Sequence, residues 1–182
     1  LLRVFLRRLK IFIMVTHIIH VADIHIPNNE KERPFSEMLK EFVKEVSSVV
    51  LKYGSDSVRV VISGDIFDQK IKTTNEAKTM FHTLLNDLNG IVKTYIIAGN
   101  HDMLENNKDR MDSLNPTFEI DGVYNNVVYL DKVLKYKSGY VDDDNIRFVL
   151  YSMHDSFAKP SGFDLMCEDK KIVGLYHGEV KG

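Results

Sequence analysis

Cysteine is almost absent from this chain: Cys167 stands alone among 182 residues, which excludes a disulfide scaffold and fits a reducing compartment. Glycine and proline are also sparse, at 10 and 4 residues, too few for a collagenous or low-complexity polymer. No apolar run approaches the roughly 20 residues that a transmembrane helix needs. Neither sign of charge is in marked excess, with 24 basic and 26 acidic side chains, so the net charge of −2 neither advertises nor excludes a nucleic-acid partner. What is present is 44% hydrophobic and 27% charged residues, enough apolar content to exclude disorder and to build the core of one soluble domain.

The start of the chain is unlike the rest. Arg3, Arg7, Arg8 and Lys10 make the first ten residues basic and leave an acidic body behind them. Arginines at 3, 7 and 8 interrupt the apolar core that a secretory signal requires. Residues 1–13 are therefore read as a non-native or upstream leader, with Met14 as the natural start and 14–182 as the domain. An amphipathic surface helix carrying Leu2, Leu6 and Leu9 is the minor alternative.

From residue 16 short apolar runs alternate with helical patterns, the mark of a layered α/β domain. Strands are expected at 18–22, 58–62 and 91–98, each ending in a polar cluster. Between them, Pro34 opens a helix with Phe35, Leu39, Phe42, Val43, Val46, Val49 and Val50 at helical period, and Gly54 closes it. A second helix from about Asn75 to Leu88 carries Met80, Phe81, Leu84, Leu85 and Leu88 on one face. Further strands are expected at 127–130, 133–137, 147–153 and 171–176, close enough together to suggest antiparallel pairing and a mixed sheet arrangement. Asp142, Asp143 and Asp144 lack the spacing of a calcium loop and are read as a solvated hairpin turn.

In open α/β sheets the site lies beyond the carboxyl ends of the strands, where these clusters fall. Asp23 and His25, two apart in an extended segment, turn to one side. Gly64 permits a tight turn that presents Asp65, with Asp68 following. Asn100, His101 and Asp102 offer an amide oxygen, an imidazole and a carboxylate, and His177 supplies another imidazole at a strand end. Carboxylates, imidazoles and an amide oxygen are the ligands of manganese, iron or zinc. So many ligands suit two ions about 3.5–4 Å apart that share a carboxylate, the arrangement for in-line attack on a phosphate ester. His17, His20 and His82 lie within elements and are read as structural, His154 as near the site but not a ligand, and Cys167 as lacking a base.

The motifs DIH at 23–25, GDIFD at 64–68, GNHD at 99–102 and YHG at 176–178, in this order, resemble those of the calcineurin-like metallophosphoesterase superfamily. The resemblance implies a layered metallophosphoesterase fold, mixed β-sheets flanked by helices, and two divalent ions, manganese first with iron, zinc or magnesium as alternatives. It implies that Asp23 and His25 bind one ion, Asp65 bridges both, and Asn100 and His177 bind the other. His101 then stabilises charge or protonates the leaving oxygen, Asp102 orients it, and Asp68 supports the ligands. Gln69-Lys70 after the second motif, and Asp102 ending the third, depart from the protein Ser/Thr phosphatases of the superfamily.

The chain is most similar to the SbcD and Mre-type DNA repair exonucleases and, in the loop 64–74 and the segment 126–130, to the phage recombination endonuclease subunits. That implies DNA as substrate, an SMC-like ATPase as partner, a homodimer, no membrane, and a cytoplasmic location, the host's if phage-encoded. The family carries a further Gly-His-x-His motif that would give each ion one more ligand, and the chain ends at Gly182. The expectation is a C-terminally truncated domain, weakly active by itself, of a longer manganese-dependent nuclease. The alternatives are a small-molecule phosphodiesterase or phosphatase, and a degenerate binding module, against which the intact Asp23, His25, Asp65, Asn100, His101 and His177 weigh. Lys70 and Lys72 could line a path for a strand, whereas scattered lysines including Lys78 and Lys108 read as a solvated face.

Overall fold

The computed structural model describes residues 14–28, 32–70, 72–104, 107, 110–119, 122–160, 167 and 169–178. The expected leader 1–13 and Lys108 lie outside these residues. In chain order the elements are β1 (His17–Val21), α1 (Glu32–Tyr53), β2 (Val58–Ser63), α2 (Asn75–Asn89), β3 (Lys93–Ile97), α3 (Asn115–Phe118), β4 (Val127–Tyr129), α4 (Leu130–Val133), β5 (Gly139–Asp143), β6 (Ile146–Leu150) and β7 (Lys171–Leu175). The first four strands form one parallel sheet in the order β1-β2-β3-β4, and the last three a second sheet in the order β5-β6-β7.

β2 is buried at every position, and the two-residue period of a strand sorts its side chains between two cores. Val58, Val60 and Ile62 join Ile96, Leu39 and Val46 of α1, and Phe81, Leu84, Leu85 and Leu88 of α2. Val61 faces the other way and meets Tyr95 and Ile97 together with Ile146, Phe148, Leu150 and Leu175 of the second sheet. The result is three layers, helices against the parallel sheet and that sheet against the mixed one. The order β1-β2-β3 with a helix in each crossover keeps both helices on one face, as right-handed connections require. The helical periods of α1 and α2 bury the expected faces, and Thr74 Oγ1 caps α2 by accepting from Ala77 N at 3.1 Å.

The late strands pair in both senses, β5 antiparallel to β6 and β6 parallel to β7. No strand forms at 133–137. The segment Leu130–Val133 is a single helical turn, and Lys135 and Tyr136 then take left-handed φ of 54° and 59°, which an extended chain does not allow. The aspartate triplet also differs from its expectation. Only Asp144 sits in the hairpin turn, with φ 49°, while Asp142 and Asp143 belong to β5 and Asp143 is buried.

Asp143 is buried because Arg59 of β2 is buried opposite it. The Arg59 guanidinium donates to both Asp143 oxygens and, at 2.9 Å, to Asp144 Oδ2, and Lys93 Nζ donates to Asp143 Oδ1 at 2.9 Å. This ion pair joins the two sheets at the ends remote from the polar clusters. Burial opposes ionisation of Asp143, but the hydrogen bonds from Arg59 and Lys93 outweigh it and hold the carboxyl below the usual carboxylate range. The stabilisation is therefore complete above the unfolded value of 3.8 and is lost as pH falls below it through the lower folded value. Asp143→Ala is expected to cost about 3 kcal/mol, the low end for breaking a buried pair, since the buried guanidinium keeps only the half-exposed Asp144 as a counter-charge. Urea unfolding at neutral pH and below pH 3.8 checks both points, and the variant should lose this part of the acid sensitivity.

Candidate metal centre

The parallel pairing of the first sheet continues past the strand ends into the loops. Asp23 N donates to Gly64 O at 3.1 Å, His25 N to Asp65 O at 2.9 Å, and Ile26 N to Ile66 O at 2.8 Å. These bonds draw the loop after β1 against the loop after β2. The contact forces left-handed backbone on three non-glycine residues, Asp23 at φ 55°, His25 at 50° and Asp65 at 52°. Aspartate and histidine are among the types that tolerate this region, at a cost of about 1–3 kcal/mol each. Asp23 and His25 therefore reach the centre through kinked backbone, and not through the extended spacing expected of them.

Two glycines let the loops after β2 and β3 touch. A Cβ on Gly99 would overlap Asp65 N and Oδ1, and one on Gly64, whose φ is 79°, would stand 2.7 Å from Gly99 Cα and 2.6 Å from His177 Nδ1. Asp65 is consequently pressed between the two loops, its side chain 5% exposed. His101 N donates to Asp65 Oδ1 at 2.8 Å. β7 belongs to the other sheet, yet His177 just beyond it reaches across, and its Nδ1 lies 2.7 Å from the Ser63 carbonyl.

A carbonyl only accepts, so His177 carries its proton on Nδ1 and turns a lone pair outward at Nε2. That atom lies 3.3 Å from Asp65 Oδ1 and 3.3 Å from Asn100 Oδ1, so acceptors face one another. His25 Nε2 is 3.8 Å from Asp65 Oδ2 and 3.9 Å from Asp23 Oδ1, beyond hydrogen-bond reach, and its buried Nδ1 has no hydrogen-bond partner. Converging lone pairs with a histidine nitrogen left over are the donor set of a divalent cation. Two groups of ligand atoms each lie within 4.8 Å of one another, Asp23 with Asp65 and His177, and His25 with Asp65 and His101. Asp65 is common to both, as expected of a bridging carboxylate. Asp23 Oδ1 also lies 3.9 Å from His25 Nε2, so Asp23 stands within reach of both groups.

Asp102 does not take the place expected of it against the His101 ring. Its oxygens accept from Ile66 N at 3.0 and 3.2 Å, Phe67 N at 3.3 Å and Gly99 N at 2.9 Å, so one fully buried carboxylate ties together the loops after β2 and β3. Burial pushes its carboxyl up to about 7, against the pull of those N–H groups and with the Asp65 charge adding to the rise. The His101 ring is held instead by the Asp68 carbonyl, 2.7 Å from Nδ1. Asp68 thus acts through its backbone, and its carboxylate stands 4.0 Å from His25 Nδ1. Asp131 gave no signal in the sequence, yet its Oδ2 accepts from Ala98 N at 2.9 Å and so anchors the third motif from below.

The remaining histidines are structural. His17 stacks on Tyr53, His20 Nε2 is 2.9 Å from Ser63 Oγ, and His82 Nδ1 is 2.9 Å from Tyr124 OH. His154 is enclosed with Tyr136 and Asp112, outside both ligand groups. The Cys167 thiol donates to Asp169, which holds it above its ordinary value and disfavours a thiolate.

Three layers with a carboxylate and imidazole cluster at the ends of parallel strands define a class, and comparison with known proteins agrees. The chain belongs to the calcineurin-like phosphoesterase family, which matches residues 16–179. Among individual proteins it is similar to the uncharacterized protein R555 of Acanthamoeba polyphaga mimivirus, 28% identical over 173 residues. That alignment covers 91% of this chain, which spans only 12% of the length of the viral protein. The crystal structure of the protein of unknown function AQ665 from Aquifex aeolicus aligns at a TM-score of 0.30 and 17% identity, over 74% of this chain and 60% of that one. No helix among the described residues is long and apolar enough to cross a membrane.

Asp102→Asn places an amide N–H against backbone N–H groups, and the unmet buried donors should cost about 1–3 kcal/mol. Asp23→Asn, on a side chain 62% exposed, should leave stability unchanged. Urea midpoints of the two variants check the contrast, and equal midpoints would sink the buried-clamp role of Asp102.

Proposed function

We propose that the centre is a two-cation phosphodiesterase site and that its substrate is DNA, cut during recombination or double-strand-break repair. The observation that supports it most is the pair of ligand groups sharing Asp65. Asp23, His25, Asp65, Asn100 and His177 would hold the cations, manganese being the first to test. When bound, such a pair neutralises the phosphoryl oxygens and makes the attacking water more acidic.

The chain's own groups divide the remaining work. Ser63 fixes the His177 tautomer, so the ring offers Nε2 as a ligand atom. The Asp68 carbonyl does the same for His101, whose Nδ1 keeps its proton while Nε2 is the atom that exchanges one. His101 is accordingly the acid for the leaving oxygen, or a positive charge beside it. Its backbone N–H occupies one lone pair of Asp65 and so orients the shared carboxylate. The resemblance to SbcD and Mre-type nucleases supports DNA over a small phosphodiester. An SMC-like ATPase partner and a homodimer belong to the same reading.

The test is hydrolysis of single-stranded DNA, a cyclic nucleotide and an aryl phosphodiester in manganese, before and after chelation. DNA should be turned over best, and chelation should abolish turnover. Asp65→Asn should lose both metal binding and activity. His101→Ala should lower kcat by about 10²–10⁴-fold with metal binding retained. Preference for the cyclic nucleotide would overturn the DNA assignment, and loss of metal binding in His101→Ala would make that ring a ligand.

A further inference from the structure

Beside the metal centre the same loops enclose a second concavity of about 320 Å³. That lies at the small end of ligand pockets, which run from about 300 to 1,000 Å³. Lys70, Lys78 and Arg110 line it together with the exposed apolar surfaces of Met111 and Pro116, and the buried Met103 lies at its floor. The cleft adjoins the centre through the chain itself. Lys70 lies two residues beyond Asp68, whose carbonyl holds His101, and Asp102 and Met103 follow His101 directly.

Among the described residues the charged side chains that this cleft offers to solvent are cationic. Lys78 and Arg110 are exposed, and among the described residues neither has a carboxylate partner. Two acids also border the cleft, but their oxygens are turned inward and used. Asp102 accepts from Ile66, Phe67 and Gly99 N–H, and Asp112 accepts from Leu114 N at 2.9 Å, Asn115 N at 2.7 Å and Tyr129 OH at 3.0 Å. Both are buried, at 0% and 3% exposure.

We propose that this cleft binds the nucleotide beside the scissile bond of a single nucleic-acid strand, with Lys78 and Arg110 on the flanking phosphates and Met111 and Pro116 against sugar and base. The assignment rests on the phosphodiesterase reading of the neighbouring centre. Cations alone would suit any polyanion. Cations next to apolar surface suit a unit that carries a charge and a flat apolar group together, and the splayed base of a single strand offers that flat face where a stacked duplex does not. A simple phosphomonoester would leave this surface unused.

The experiment measures binding of a fluorescent oligothymidylate to the protein in EDTA over a range of salt concentrations. With the metal centre empty by design, the readout survives even if the protein proves not to be a phosphodiesterase. In Lys78→Ala/Arg110→Ala the slope of log affinity against log salt should flatten by about 1.4, since a single strand contributes about 0.7 per phosphate contact. Lys78→Arg/Arg110→Lys should keep the parental slope. Hydrolysis of an aryl phosphodiester in manganese, a substrate too short to reach the cleft, should be unchanged in both. Parental affinity and slope in the double alanine variant would overturn the proposal, as would a phosphopeptide that displaces the strand more effectively than a trinucleotide does.

Discussion

The buried carboxylate of Asp102 is the tie on which the rest of the centre depends. It gathers N–H groups from the loops after β2 and β3, and so fixes the spacing at which Gly99 closes over Asp65. Once those loops are in contact, Asp65 has nowhere to turn except toward the ligand atoms on either side of it. The N–H groups it satisfies would otherwise be orphaned at the carboxyl ends of two parallel strands, where no further ladder continues. A carboxylate whose place in the motif suggests a role beside His101 is thus a backbone organiser, and the geometry of the candidate ligands is its consequence.

The two ends of the sheet pair are built on opposite principles. Remote from the site, Arg59 and Lys93 are balanced by Asp143 and Asp144. At the site, Asp23, Asp65 and the outward lone pairs of His25 and His177 face each other with no cationic side chain among the contacts that hold them. The first arrangement stabilises the protein as it stands. The second concentrates acceptors at the cost of backbone strain at Asp23, His25 and Asp65, the kind of local expense that marks a binding site.

Most of the fold was legible in the sequence, because apolar period reports burial directly. β1, β2, β3, α1 and α2 lie where their periods put them, and the polar clusters at their ends come together. Period says nothing about backbone handedness, however, and the misread strand at 133–137 is where Lys135 and Tyr136 turn left-handed. In the sequence Asp143 reads as solvated because its partner Arg59 is 84 positions away, a pairing that no local pattern encodes. The candidate site was legible as a set of residue types, but not in its internal wiring. Which carbonyl holds which imidazole, and which aspartate is spent on the backbone, depend on contacts between loops that the linear order does not display.

His177 stands beyond the last strand of the second sheet, yet it completes a cluster whose other members all follow strands of the first. Its hydrogen bond to Ser63 spans 114 positions of chain. A chain emerging from the ribosome therefore displays Asp23, Asp65 and Asn100 before His177 has been made. The group that Asp23, Asp65 and His177 form exists only once the two sheets have docked, so a half-made chain carries the first three motifs without it. Assembly of this candidate ligand group is in this way coupled to the docking of the two sheets, by the placement of one histidine.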